Sequence, residues 1–134
     1  YAASAVADIG ATVLLEPVSA IPSYPLRTAA DVLTVLDNVG APNTGLLADL
    51  YHLAVNGDDV AEAITKHTDR IAHVQIADAP GRGEPGSGEL PIDEWLDALA
   101  AKGYSGYVAA EYKPTARSAD SFGWRPAKAN TVQE

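Results

Sequence analysis

The chain contains no cysteine and no methionine, and a single phenylalanine, among its 134 residues. Without cysteine there is no disulfide, no thiolate nucleophile and no sulfur-ligated zinc or iron–sulfur centre. Positive charge is scarce too: nine Lys and Arg stand against 18 Asp and Glu, a formal net charge of −9. A surface that acidic repels phosphate backbones, so nucleic acid is not an expected partner. No apolar run approaches the roughly 20 residues needed to cross a bilayer, so no membrane partner is expected either. The opening YAASAVADIG has neither the basic start nor the apolar stretch of a secretory signal, which makes a cytoplasmic location the expectation. The lack of methionine, with Tyr1 first, leads to the expectation that this is part of a longer chain. The remainder is ordinary: 47% hydrophobic and 20% charged, long enough for one domain with a core.

Glycine and proline punctuate a βα alternation. Residues 1–9 read as an Ala-rich helix stopped by Gly10. TVLLE (12–16) reads as a strand, and the Pro-rich 17–26 as a loop. A helix follows, with Thr28 as N-cap, an apolar face of Val32, Leu33, Val35, Leu36 and Val39, and Gly40 as its stop. TGLLAD (44–49) is the next strand, then a helix over 58–69 with Asp58 as its cap, then the strand IAHVQIA (71–77). A Gly/Pro-rich loop spans 78–91, a helix 92–103, and a fourth strand, GYVAAEY, 106–112. The tail, 113–134, is polar, with one short helix around 118–124.

Four strands alternating with helices imply parallel βαβ units. A doubly wound nucleotide-binding sheet would carry a Gly-rich turn directly after an early strand. The strands here are followed instead by Pro17, by LYH and by ADAP. A (β/α)8 barrel takes about 250 residues and eight strands. This chain has half of each, so the expected fold is the C-terminal half of such a barrel, one partial domain over 1–134. Half a barrel exposes two strand edges and an unclosed core. Alone it is expected to aggregate, to need a partner half, or to be inactive.

The strands end in Glu16, Asp49, Gln75 and Glu111, spaced 33, 26 and 36 residues apart (49−16, 75−49, 111−75). In a parallel sheet these ends share one rim, and in a barrel that rim builds the active site. Side-chain alternation puts each of them on the inward phase, with Val13, Leu15, Leu46, Ala48, Val74, Ile76, Val108 and Ala110 facing outward beneath helices. Three carboxylates in one mouth repel one another unless a cation sits between them. Two carboxylate types and an amide carbonyl form an all-oxygen set suited to Mg2+ or Mn2+. His52, three residues beyond Asp49, reads either as a donor to a substrate oxygen or as a surface histidine. Arg82, in PGRGEPGSGE, either reaches over the mouth to fork onto a carboxylate or is solvated.

The stretches LLEP, VGAPNTGLLADLYH, HVQIADAPGRGEPGSGE and GYSGYVAAEYKP resemble the second half of the hydroxypyruvate isomerase family, within the xylose isomerase-like barrels. The likeness runs from about residue 12 to about 126 and implies strands five to eight of the barrel. It implies a divalent metal, Mg2+ or Mn2+, held by Glu16, Asp49, Gln75 and Glu111. It implies substrate contacts from His52 and Arg82, and Glu16 and Glu111 as the catalytic acid and base. Glu84 and Glu89 match acidic positions without a defined role. Glutamine at position 75 fits the isomerase branch, since the related ketose 3-epimerases usually carry histidine there. The implied reaction is aldose–ketose isomerisation of a small hydroxy-acid or sugar, hydroxypyruvate to tartronate semialdehyde, with a homo-oligomer possible for the intact chain. A ketose 3-epimerase and a non-catalytic sugar-binding barrel are the alternatives.

Overall fold

Residues 1–125 are described by the computed structural model, and the end of the expected polar tail, 126–134, lies outside them. The Ala-rich start is two short turns rather than one helix: α1 (Ala2–Ala5) and a 3-10 turn at Ala7–Ile9. Neither has a side-chain cap, and runs this short gain too few hydrogen bonds to offset helix nucleation. Gly10 closes the second turn as expected, at φ 68°. β1 (Val13–Leu15) follows. Thr28 then caps α2 (Ala29–Val39) reciprocally: its hydroxyl accepts from the Asp31 amide, and the Asp31 carboxylate accepts from the Thr28 amide.

After β2 (Thr44–Asp49) the structure departs from the sequence pattern, which assigns no element to 50–57. This stretch is α3 (Leu50–Asn56), and Asp49 caps it by accepting from the amides of Tyr51 (2.9 Å) and His52 (3.3 Å). Asp58 does not cap the next helix. It accepts from the Ala29 amide at 2.8 Å, at the start of α2, while Asp59 caps α4 (Val60–His67) through the Glu62 amide. Two adjacent aspartates suit either cap chemically, and the long-range hydrogen bond from the start of α2 to Asp58 divides them. β3 (Ile71–Ile76), α5 (Ile92–Ala101) and β4 (Val108–Ala110) complete the alternation. The expected helix near 118–124 is one 3-10 turn, Ser118–Asp120.

The strands form one parallel sheet in the order β1-β2-β3-β4. Sequential order has no switch point, which excludes a doubly wound sheet and matches four successive units of a barrel wall. Leu46, Ala48, Val74 and Ile76 are buried and pack with Val32, Leu36, Leu53, Ile64, Trp95 and Leu99 of the helices. The alternate residues, His73 and Gln75, therefore face the opposite side, where the barrel interior would be. β4 is the exception to the outward packing expected for it. Val108 is 40% exposed, because no α-helix follows β4 among the described residues to cover it. Among the described residues, no helix is long and apolar enough to cross a membrane.

Candidate metal centre and active site

Parallel pairing brings the strand ends together. Asp49 ends β2 directly opposite Gln75 of β3, and Gln75 in turn lies opposite Ala109 of β4. Glu16 and Glu111 stand one residue past β1 and β4. The Glu111 amide donates to Ile76 O at 3.0 Å, and the Glu16 carbonyl accepts from Tyr24 Oη at 2.9 Å, so both are anchored through their main chains. One potential ligand atom each from Glu16, Asp49, His52 and Glu111 lies within 4.8 Å of all the others. His52 is buried, at 6% exposure, which removes the surface-histidine alternative.

Charge in this cluster is unbalanced. Against the carboxylates of Glu16, Asp49 and Glu111 stands the guanidinium of Arg82, whose Nη2 donates to Glu111 Oε2 at 2.8 Å and to Asp49 Oδ2 at 3.5 Å. Burial, then the nearby Glu111, raises the Glu16 carboxyl above its ordinary value, with Arg82 opposing. Asp49 is pushed up to about 7, chiefly by burial and by its hydrogen bond with Glu111. Burial, and then Arg82, lowers the His52 imidazole. All three shifts disfavour the charged form, the signature of a partly dry site carrying excess charge.

The fit to a cation is tested by Gln75. Its Oε1 is buried and has no hydrogen-bond partner in the structure. A buried amide oxygen left alone is costly, and a native fold keeps one only where something else satisfies it. Gln75 stands opposite Asp49 in the sheet register. An amide oxygen together with the carboxylates of Glu16, Asp49 and Glu111 is a donor set that a hard divalent cation satisfies, so the residues present fit the metal.

Arg82 is delivered by a loop whose construction is not evident from its composition. Asp78, fully buried, accepts from four main-chain amides: Ala79 (2.8 Å) and Leu90 (3.0 Å) on Oδ1, Gly86 and Gly88 (both 2.9 Å) on Oδ2. A Cβ at Gly88 would lie 2.3 Å from Ala79 O and 2.6 Å from Asp78 Oδ1, so the backbone can approach this carboxylate only as glycine. Arg82 itself sits at φ 59°, uncommon for a residue with a side chain, and its carbonyl accepts from the Lys113 amide at 2.7 Å. Its guanidinium carbon lies 5.3 Å from the Tyr51 ring centroid. Glu84 has a structural role: it accepts from the Thr115 amide at 2.9 Å and from the Thr115 hydroxyl, tying the loop to the segment after β4. Glu89 contributes its main-chain amide to Ala79 O at 2.7 Å, and its side chain is exposed. Asp78 was missed by sequence reasoning. Its only signal is an acidic residue opening a Gly-rich loop.

Comparisons with known proteins bear on the fold and the family. A family model described as xylose isomerase-like TIM barrel matches residues 1–128. A hydroxypyruvate isomerase of Escherichia coli is 33% identical, over 92% of this chain and 49% of its own length. A Streptomyces coelicolor protein named for the same activity is 45% identical, over 98% of this chain and 50% of its own length. A solved structure titled AP endonuclease, family 2, from Brucella melitensis superposes with a TM-score of 0.88 at 34% identity, covering 92% of this chain and 49% of that one. The chain spans about half the length of the curated relatives it matches.

Proposed function

Since the chain belongs to the xylose isomerase-like TIM barrel family, we propose that it supplies the metal-binding and proton-transferring side of an aldose–ketose isomerase acting on a small hydroxy-acid, hydroxypyruvate to tartronate semialdehyde. The observation that carries this reading is the partnerless, buried Oε1 of Gln75, on the residue opposite Asp49 in the sheet, with Asp49 clustered with the carboxylates of Glu16 and Glu111. Glu16, Asp49, Gln75 and Glu111 would hold Mg2+ or Mn2+. Bound there, the cation would supply Lewis-acid polarisation of the substrate carbonyl and hydroxyl. Glu16 and Glu111 then serve as base and acid: one takes a proton from C3 of hydroxypyruvate, and a proton is returned to C2 as the adjacent oxygens exchange theirs. Without a cation, burial and mutual repulsion raise Glu16 above the ordinary carboxylate value. Arg82, a planar fork already inside the cluster, suits the substrate carboxylate. His52 lies within reach of a substrate oxygen at the same rim.

Calorimetric titration with Mn2+, together with assays on hydroxypyruvate and on a ketohexose, tests the reading. Glu111→Gln is expected to weaken Mn2+ binding and abolish hydroxypyruvate turnover, and unchanged values for both would refute the proposal. Turnover of the ketohexose alone would replace isomerisation with 3-epimerisation at the same site. Ligand binding without metal or turnover would make the molecule a binding protein.

A further inference from the structure

Ser19 has no place in the rim pattern. It lies in the loop after β1, three residues beyond Glu16, and is 4% exposed. Its main-chain N–H donates to His52 Nδ1 at 3.1 Å, and its Oγ lies 2.6 Å from the same nitrogen. A main-chain amide can only donate, so Nδ1 carries no proton and must be the acceptor. The Ser19 hydroxyl contact fits either tautomer taken alone, and against an unprotonated Nδ1 it is a second donor sharing the one lone pair. A neutral imidazole holds one proton, and here it is on Nε2. Nε2 is also the nitrogen facing the rim, 3.7 Å from Asp49 Oδ2.

We infer that Ser19 is a positioning residue that fixes His52 in the Nε2–H tautomer, as a hydrogen-bond donor aimed into the carboxylate cluster. Two consequences follow. An Nε2 that carries hydrogen has no lone pair for a cation, so His52 is not a ligand although it clusters with three carboxylates. Gln75 takes that place through its carbonyl oxygen. The same Nε2 cannot accept a proton, so His52 stabilises negative charge on a substrate oxygen while proton removal falls to the carboxylates. Only these consequences rest on the proposed isomerase chemistry. The tautomer rests on the hydrogen bonds alone. The Ser19 contact also links the β1 loop to α3 across 33 residues of sequence, so the first carboxylate of the rim and the imidazole are set by one piece of backbone.

The test is a long-range proton–nitrogen correlation spectrum of the imidazoles in the metal-free, 15N-labelled full chain at pH 8, where an unperturbed histidine is neutral. His52→Gln assigns the signal directly, and His67→Gln with His73→Gln assign it by elimination should that variant fail to fold. The expected pattern is an unprotonated Nδ1 and a protonated Nε2. An Nδ1–H pattern, or the averaged pattern of free imidazole, would overturn the inference. Ser19→Ala keeps the main-chain donor and removes the hydroxyl. It is expected to retain the Nε2–H pattern while moving Nδ1 toward the position of a less hydrogen-bonded nitrogen, and an unmoved Nδ1 counts against the hydroxyl contact. In Mn2+ calorimetry, Gln75→Leu is expected to lose at least about tenfold in affinity and His52→Gln less than about threefold. The reverse order would make His52 a ligand and sink the inference. Absence of Mn2+ binding by the unaltered chain would sink the metal reading instead, leaving the metal-free tautomer to be judged by its own spectrum.

Discussion

Asp49 and Glu111 are both strand-end carboxylates bonded to Arg82, yet they are built differently. Asp49 closes a central strand, is 0% exposed, and has two α3 amides on one oxygen and the guanidinium on the other. Glu111 follows the marginal strand β4, and its side chain is 47% exposed. Central strands gain a neighbour on each side and a helical cover, so their terminal residues are held by burial. A marginal strand supplies the right side chain in the right direction but little to hold it there. The same site therefore has a rigid centre, made of Asp49, Gln75 and the Asp78 loop, and softer flanks at Glu16 and Glu111.

The largest effect is expected where the flanks have no neighbour at all. β1 and β4 are each paired on one side only, with Tyr107 84% and Val108 40% exposed beside β4. Residues 1–134 expressed alone are expected to self-associate through these margins, and a monodisperse, cooperatively melting monomer in sedimentation and calorimetry would contradict this. Next comes the centre. Asp78→Ala removes the buried acceptor of four main-chain amides and is expected to cost roughly 3 kcal/mol, with accelerated hydrogen exchange at residues 86, 88 and 90. Unaltered exchange there would remove Asp78 as the organiser of the loop. Asp49→Ala is expected to lower Mn2+ affinity on the order of 100-fold, the upper end of the range for changes at metal sites. It also removes the α3 cap, worth about 1 kcal/mol. A drop in only one of the two would separate the ligand from the cap.

Asp49 sharpens the contrast through pH as well. Its carboxyl is raised from 3.8 to about 7 in the folded state. Between those values the folded chain holds a proton that the unfolded chain has lost. The contribution of this group to metal-free stability therefore falls as pH rises from about 4 to about 7 and is level above that. A cation needs the ionised form, so Mn2+ affinity is expected to rise about tenfold per pH unit up to about 7 and then flatten. A flat affinity profile across this window would show that Asp49 does not titrate against the metal. The smallest effect belongs to the flank: Glu111→Gln is expected to weaken Mn2+ binding about tenfold yet change stability by less than about 1 kcal/mol, since a half-exposed ion pair contributes little. A larger loss of stability would erase the distinction between centre and flank.

The alternation of strands and helices, the Thr28 cap and the Gly40 stop were legible because they rest on neighbours in sequence. The strand-end set was legible for a related reason. Period-2 alternation fixes which face a side chain takes, and βα spacing places the ends on one rim, where Glu16, Asp49 and Glu111 do meet. The failures have a common cause. Asp49 as a helix cap, Asp58 bonding to α2, and Glu84 holding Thr115 each depend on a partner or a packing choice that local propensity cannot rank. The exposure of Val108 was misjudged because alternation says which side a residue faces and not whether anything lies there.

By itself, then, the sequence determined the alternation of four strands with helices, the parallel sheet and the identity of the residues on its polar rim, because these follow from periodicity and chain direction. Tertiary structure decided what those residues are bonded to. Only folding brings Ser19 against His52, gathers four amides onto Asp78, and leaves Gln75 Oε1 without a partner, because burial and hydrogen-bond satisfaction are properties of atoms far apart in the chain.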